Sequence, residues 1–421
     1  MKNYKIYRQL IVSFLFLPFV FSLSAQAKSY HVILQGFHWS SYQVPSGWYN
    51  IIHQNNQRIA NSGFTMVWFP PPSKSTGFRP QGYEPTELYN LNSAYGTHQE
   101  LVNTISGLHS QNIQVMADIV INHRSGSTDW ADFKNPEWST SVIAADDEWW
   151  GVKSSNKDTG QGIDASRDLD HMNPEVQQGV GTWLSYLRTQ IGFDAWRYDM
   201  AKGFAGWAIS LYNSISKPTL SVGEYLSGDI QENINWIDST STVPNYRSSA
   251  FDYPLRFRLY DAVVWGRYGD LHYNNRLTGL IGYWADKSVT FLENHDTEEA
   301  RGGIYMASFP NGKAMLEGYA FILTHPGTPT VFWTDIFDSG EYTEKILREM
   351  IWIRRQYAIH SESPILVDKA TNSDGYAAYI SGDKGSIAVH IGPGNWQPQA
   401  KFNTVILQGP SFTIWDVRNE P

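Results

Sequence analysis

The chain has 421 residues, 42% of them hydrophobic and 17% charged, with a net charge of −9 and no cysteine. That length buries one large core or two to three smaller ones, and that balance excludes a disordered chain and a helical membrane bundle. The acidity, with no basic block, excludes a nucleic-acid partner, and without cysteine no disulfide staples the fold.

The first elements read as an export signal over residues 1–27. Lys2, Lys5 and Arg8 make a basic start, Leu10 to Leu23 an apolar run, and Ala25-Gln26-Ala27 a small-residue cleavage site. The run is shorter than the roughly 20 residues a membrane span needs. The expectation is therefore a secreted chain, extracellular or periplasmic, with no membrane segment once the signal is removed.

From residue 30 onward, short apolar runs alternate with helical spacing. Strands are expected at 32–34, 65–69, 115–121, 193–198, 219–222, 250–253, 288–292 and 330–333. Between them, helices are expected at 48–62, 98–111, 174–190, 206–216, 230–238, on to Trp265, and at 313–323, with a last one at 342–357. Eight strand–helix units close a parallel (β/α)8 barrel. The stretch 124–173 is rich in Asp, Ser, Gly and Trp and has no sustained period, so it reads as an inserted loop domain after strand three. Beyond His360 four strand-like runs at 377–380, 386–391, 403–407 and 412–417 predict a C-terminal antiparallel β domain. The predicted organisation is thus signal 1–27, barrel 28–123, insertion 124–173, barrel 174–359 and β domain 360–421.

In a parallel barrel the reactive groups stand where the strands end. Strand three runs out at Asn122-His123, strand four at Arg197-Tyr198-Asp199, strand five at Glu224, and strand seven at Glu293-Asn294-His295-Asp296. Any one such Asp is most often a turn former or helix cap. The convergence of four strand ends carries the argument. Several acids around an arginine suit glycoside hydrolysis, which needs a proton donor and a second carboxylate. The residues alone leave retention or inversion open.

These segments resemble the motifs of the α-amylase family, glycoside hydrolase family thirteen. Residues 118–123 (DIVINH), 192–199 (GFDAWRYD), 222–224 (VGE) and 291–296 (FLENHD) resemble its four signatures in order. Arg167-Asp168-Leu169-Asp170 is similar to a fifth, with arginine where the family usually has proline. Residues 35–39 and 319–327 are similar to plant α-amylases and to bacterial amylases that release maltotetraose.

The resemblance implies Asp199 as nucleophile, Glu224 as general acid and base, and Asp296 as the carboxylate that holds the distorted sugar. It implies substrate contacts from Tyr83, His123, Arg197, Lys202 and His295. It also implies a Ca²⁺ site between insertion and barrel, with Asn122, Asp158, Asp168 and the Gly203 carbonyl as ligands and the Gln161 carbonyl as a further candidate. Trp130, Trp149, Trp150, Trp207 and Trp333 are candidates for outer sugar subsites, with core packing as the alternative for each. The implied function is retaining hydrolysis of α-1,4 bonds in starch and maltooligosaccharides by a monomer. The alternatives are an exo-acting maltooligosaccharide-forming amylase or transglycosylase, and a non-catalytic glucan-binding relative. The last would lack a carboxylate, whereas all three are present.

Overall fold

A computed structural model describes residues 28–162, 166–298 and 307–416. The expected signal over 1–27, and Val417 of the last expected strand, lie outside these residues. Eight strands form one closed parallel barrel: β1 Ile33–Gln35, β2 Met66–Phe69, β3 Gln114–Ile119, β4 Ala195–Tyr198, β5 Ser221–Gly223, β6 Ser249–Phe251, β7 Ser288–Thr290 and β8 Thr328–Phe332. Each pairs with its neighbours in sequence, and β1 closes the ring on β8. The register sets Asp118 beside Arg197, and Arg197 beside Val222. Residues that follow β3, β4 and β5 therefore emerge together on one rim.

The helices packed outside are α1 Trp48–Gln54, α2 Asn56–Asn61, α3 His98–Ser110, α4 Pro174–Tyr186, α5 Gly206–Ser216, α6 Ile230–Ser239, α7 Tyr253–Trp265, α8 Lys313–Thr324 and α9 Glu341–Gln356. Their starts follow from local chemistry. Thr97 and Glu100 form a reciprocal capping box on α3, and Asn173 caps α4 with Pro174 in its first turn. Two expectations need correction. The single helix 48–62 is two helices meeting at Asn55, whose N–H and side-chain amide both donate to the Ile51 carbonyl. The helix expected to reach 190 ends at Tyr186 and runs into a wider π turn over Leu187–Ile191, stopped by Gly192 at φ 101°.

Between β3 and α4 the described residues make no long element. The chain there is fastened by a short antiparallel pair, His123–Arg124 with Arg167–Asp168. Arg124 is wholly buried, lies over Phe133 and Trp138, and donates to the Pro136, Thr86 and Lys134 carbonyls.

After α9 five strands form an antiparallel sheet: β9 Ile365–Thr371, β10 Gly375–Gly382, β11 Gly385–Ile391, β12 Thr404–Gly409 and β13 Phe412–Asp416, in the order β9-β10-β11-β13-β12. β9 escaped the sequence reading. It is an edge strand with a register shift between Val367 and Lys369, and its side chains are half-buried or exposed, so no clean apolar alternation marks it. The sheet docks on the barrel through β10, where the Tyr376 hydroxyl meets His325 at 2.8 Å. The start of the described chain is pinned there too. The Ser29 carbonyl accepts from the Ser361 N–H at 2.8 Å, and Lys28 pairs with Asp383 at 2.8 Å. Among the described residues no helix is long and apolar enough to cross a membrane.

Candidate active site

Arg197 organises the rim. It lies on β4, two residues before Asp199, so both side chains point to the same face. Its Nη1 donates to Asp118 Oδ1 at 2.8 Å and to Asp199 Oδ1 at 2.7 Å, and its Nη2 lies 2.9 Å from Glu224 Oε2. One guanidinium, itself 1% exposed, thus faces three carboxyls. Glu224 Oε2 also accepts the Met200 N–H at 2.9 Å. Burial pushes Asp199 well above the usual carboxylate range, with Glu224 and Asp118 adding to the rise and Arg197 opposing it. Burial likewise brings Asp118 up to about 6 against the pull of Arg197. Two buried carboxyls, Asp118 and Asp199, thus share one fixed positive charge with the half-buried Glu224, and burial favours the protonated form of the first two.

Beside this cluster stand three parallel rings. Tyr83 stacks on His295 at 5.3 Å and 4°, and Trp39 is parallel to both at 6.2 Å. The Tyr83 hydroxyl donates to Asp118 at 2.9 Å and meets His295 Nε2 at 2.8 Å. Gln35, at the end of β1, meets His295 Nδ1 at 2.9 Å. Asp296 Oδ2 lies 3.4 Å from His295 Nε2, and Asp296 is partly open to the cleft. The structure therefore brings Asp199, Glu224, Asp296, Tyr83, Arg197 and His295 into one region. His123 sits next to them, engaged with protein groups on both ring nitrogens: Nε2 is 2.8 Å from the Tyr83 carbonyl and Nδ1 is 3.2 Å from Asn122. Burial lowers its pKa and keeps it neutral.

Lys202 stands beside Tyr225, the residue after Glu224. Its ammonium is 5.1 Å from the Tyr225 ring and 3.8 Å from Glu232. Tyr225 stacks on Trp236 at 5.4 Å, and with Lys202 and Trp207 they line a cavity of about 530 Å³.

The expected cation ligands pass a chemical fit. Asn122 Oδ1 and Asp158 Oδ2 are buried carbonyl and carboxylate oxygens that accept no hydrogen bond among the described residues. Asn122 Nδ2 is 3.2 Å from Asp168 Oδ1, and a Cβ on Gly203 would fall 1.8 Å from Asn122 Oδ1, so the Gly203 backbone rests against that oxygen. The loop carrying Asp158 is tied to the same segment, since Gln161 N–H donates to the Lys202 carbonyl and the Thr159 hydroxyl accepts the Ala205 N–H, both at 3.0 Å. Burial raises Asp158 to about 6, a cost that a cation would relieve. Such an all-oxygen set suits a hard cation. Asp147, Glu148 and Asp168 also bring carboxylate oxygens within 4.8 Å, a group able to hold a metal. Arg167 already pairs with the first two of these, which gives its departure from the family's usual proline a visible use.

Sequence reasoning left Asp118, Gln35 and Trp39 without a role. Asp118 was legible as the one charge inside an apolar strand, and Gln35 as the polar end of β1. Trp333 is a correction: it is 4% exposed and packs on Trp48 and Phe337, so it belongs to the core rather than to a sugar subsite. Trp150 and Trp130 are exposed, while Trp149 and Trp207 are half-buried.

A barrel with acids and an arginine at the carboxyl ends of its strands has the groups that glycoside hydrolysis uses, and the comparisons identify the class. The family described as "Alpha amylase, catalytic domain" matches residues 47–217. Probable alpha-amylase 2 of Arabidopsis thaliana is 34% identical, covering 91% of this chain and 93% of its own length. Chloroplastic alpha-amylase 3 of the same plant is also 34% identical, and there the chain spans only 45% of the relative's length. A glucan 1,4-alpha-maltotetraohydrolase of Stutzerimonas stutzeri is 28% identical over 87% of this chain and 70% of its own. The solved α-amylase of Geobacillus thermoleovorans superposes with a TM-score of 0.69 at 14% identity, covering 94% of this chain and 100% of its own. The chain belongs to the α-amylase family, and it is a glycoside hydrolase.

Proposed function

We propose that the protein is a secreted, monomeric α-amylase that hydrolyses α-1,4-glucosidic bonds of starch and maltooligosaccharides with retention. The observation that carries this reading is the single Arg197 guanidinium bonded to both Asp199 and Glu224. Two carboxyls held on adjacent nitrogens of one planar group favour the short separation that retention requires, about 5–5.5 Å. In the first step an Asp199 oxygen attacks the anomeric carbon while Glu224 gives its proton to the departing glycosidic oxygen. In the second, Glu224 takes a proton from water, and that water displaces Asp199 to release an α-configured sugar. Asp296 stabilises the oxocarbenium-like transition state and Arg197 steadies the charge on Asp199. Tyr83, stacked on His295, supports the sugar at the cleavage point, with His123 beside it and Lys202 toward the leaving group.

Product analysis tests the reading. On soluble starch, α-configured oligosaccharides of mixed length are expected early in the reaction, measured by chromatography and anomeric NMR. A single length from the start points instead to the exo mode of a maltooligosaccharide-forming enzyme, and β-configured products overturn retention.

Ca²⁺ is the proposed resident cation, held by Asn122, Asp158, Asp168 and the Gly203 carbonyl, clamping the 124–173 insertion to the barrel. It supplies structural charge and no reacting group. A ligand bound only by the native state adds about 2.7 kcal/mol at a hundredfold excess over its Kd. Prolonged dialysis against EDTA is therefore expected to lower Tm by several degrees, with recovery on adding Ca²⁺ in a thermal scan. An unchanged Tm in metal-free protein, verified by atomic absorption, removes the cation from the fold.

A further inference from the structure

Asp296 stands on a turn that has no helix or strand to hold it, and its backbone is fixed by side chains instead. Asn294 Oδ1 accepts the N–H of Asp296 at 2.8 Å and that of Thr297 at 3.0 Å. Thr297 Oγ1 accepts the Asn294 N–H at 2.9 Å and donates to Glu293 Oε2. The other oxygen of Glu293 accepts the Phe309 N–H, and the Ser308 hydroxyl donates to the Thr297 carbonyl. From α7, Arg256 donates to the Leu292 carbonyl at 2.7 Å and to the Ala307 carbonyl at 2.8 Å, with its Nη2 3.7 Å from Glu293. The chain on either side of residues 299–306 is thus tied to one buried pair.

Glu293 is 4% and Arg256 1% exposed, so neither meets the sugar. A buried ion pair is weak evidence for stability by itself, because desolvation offsets its attraction. What this pair does have is geometry. Both Glu293 oxygens and the Nε and Nη2 of Arg256 go to backbone or hydroxyl groups at Leu292, Thr297, Ala307 and Phe309, the residues flanking Asp296.

We propose that Glu293, together with Thr297 and Arg256, is a positioning clamp that sets Asp296 at the height from which it meets the transition state. The proposal rests on the reading of Asp296 given above. A carboxylate displaced by about 1 Å costs on the order of a hundredfold in rate. The clamp therefore acts on kcat more than on substrate binding.

The test is a double-mutant cycle on the full chain with soluble starch and a chromogenic maltooligosaccharide. Thr297→Val keeps the shape and removes the hydroxyl. It is expected to lower kcat by about tenfold to a hundredfold with KM changed less than threefold. Thr297→Ser, which returns the hydroxyl, is expected to recover most of the loss. In an Asp296→Asn background, Thr297→Val is expected to add less than twofold, since the carboxylate it positions is gone. Circular dichroism melts check folding. If the valine variant melts below the assay temperature, Glu293→Gln carries the same cycle, because it keeps the acceptor for Phe309. An equal loss in both backgrounds overturns the clamp, and so does a harmless Thr297→Val beside an inactive Asp296→Asn. An active Asp296→Asn overturns the assignment of Asp296 and the clamp with it.

Discussion

Glu224→Gln is expected to lower kcat on soluble starch by about 10³-fold to 10⁴-fold while glucan binding survives. The substitution conserves shape. A glutamine oxygen still accepts from Arg197 and from the Met200 N–H, the two groups that hold Oε2 in the native protein. What it lacks is a proton to give to the glycosidic oxygen in the first step, and a base to take one from water in the second. Sugar contacts from Tyr83, His295 and the cavity lined by Lys202 and Tyr225 remain. Initial rates measure the first effect, and calorimetry with maltoheptaose the second. A variant that keeps a tenth or more of the wild-type rate takes Glu224 out of its role.

Arg197→Met is expected to damage stability and activity together. The methionine has similar reach and no charge, so Asp118, Asp199 and Glu224 lose their shared partner at a site with almost no exposure. Removing one member of a buried ionic group costs roughly 3–5 kcal/mol, because the charges left behind stay desolvated. The pH dependence has a definite sign. Burial already sets Asp118 at about 6 and Asp199 well above the usual range, and loss of the opposing cation moves both further up. Carboxyls whose folded pKa exceeds the unfolded value favour the native state at low pH and lose that contribution as pH rises. The Tm deficit of the variant is therefore expected to be larger at pH 8 than at pH 5, read by calorimetry at both. A deficit that shrinks toward pH 8 contradicts the account. Activity is expected to fall at least a hundredfold, since Asp199 then prefers its neutral, non-nucleophilic form.

The barrel was legible because its strands are short apolar runs ending in polar residues, the pattern of strands covered on both faces. The position of α5 and the end of α7 at Trp265 were read from the sequence, while Tyr253, expected in the sixth strand, opens α7 instead. β9 was not legible, since an exposed edge strand with a bulge carries no alternation. Nor was the break at Asn55, where the helical spacing of residues 48–62 runs on without interruption. At the site, strand ends located the acids, while the parallel stack of Trp39, Tyr83 and His295 joins residues from three distant parts of the chain. No local pattern encodes that juxtaposition. Trp333 shows the converse: composition marks a tryptophan at a strand end, and only packing against Trp48 tells that it faces inward.

The anchoring of Ser29 and Lys28 to Ser361 and Asp383 has a practical side. These residues precede β1, so they lie at the amino end of the barrel, opposite the rim that carries Asp199 and Glu224. A tether joined at Lys28 leaves the cleft pointing away from whatever holds it. The protein could be immobilised on a bead or electrode through that end, with the catalytic mouth still open to a long polysaccharide.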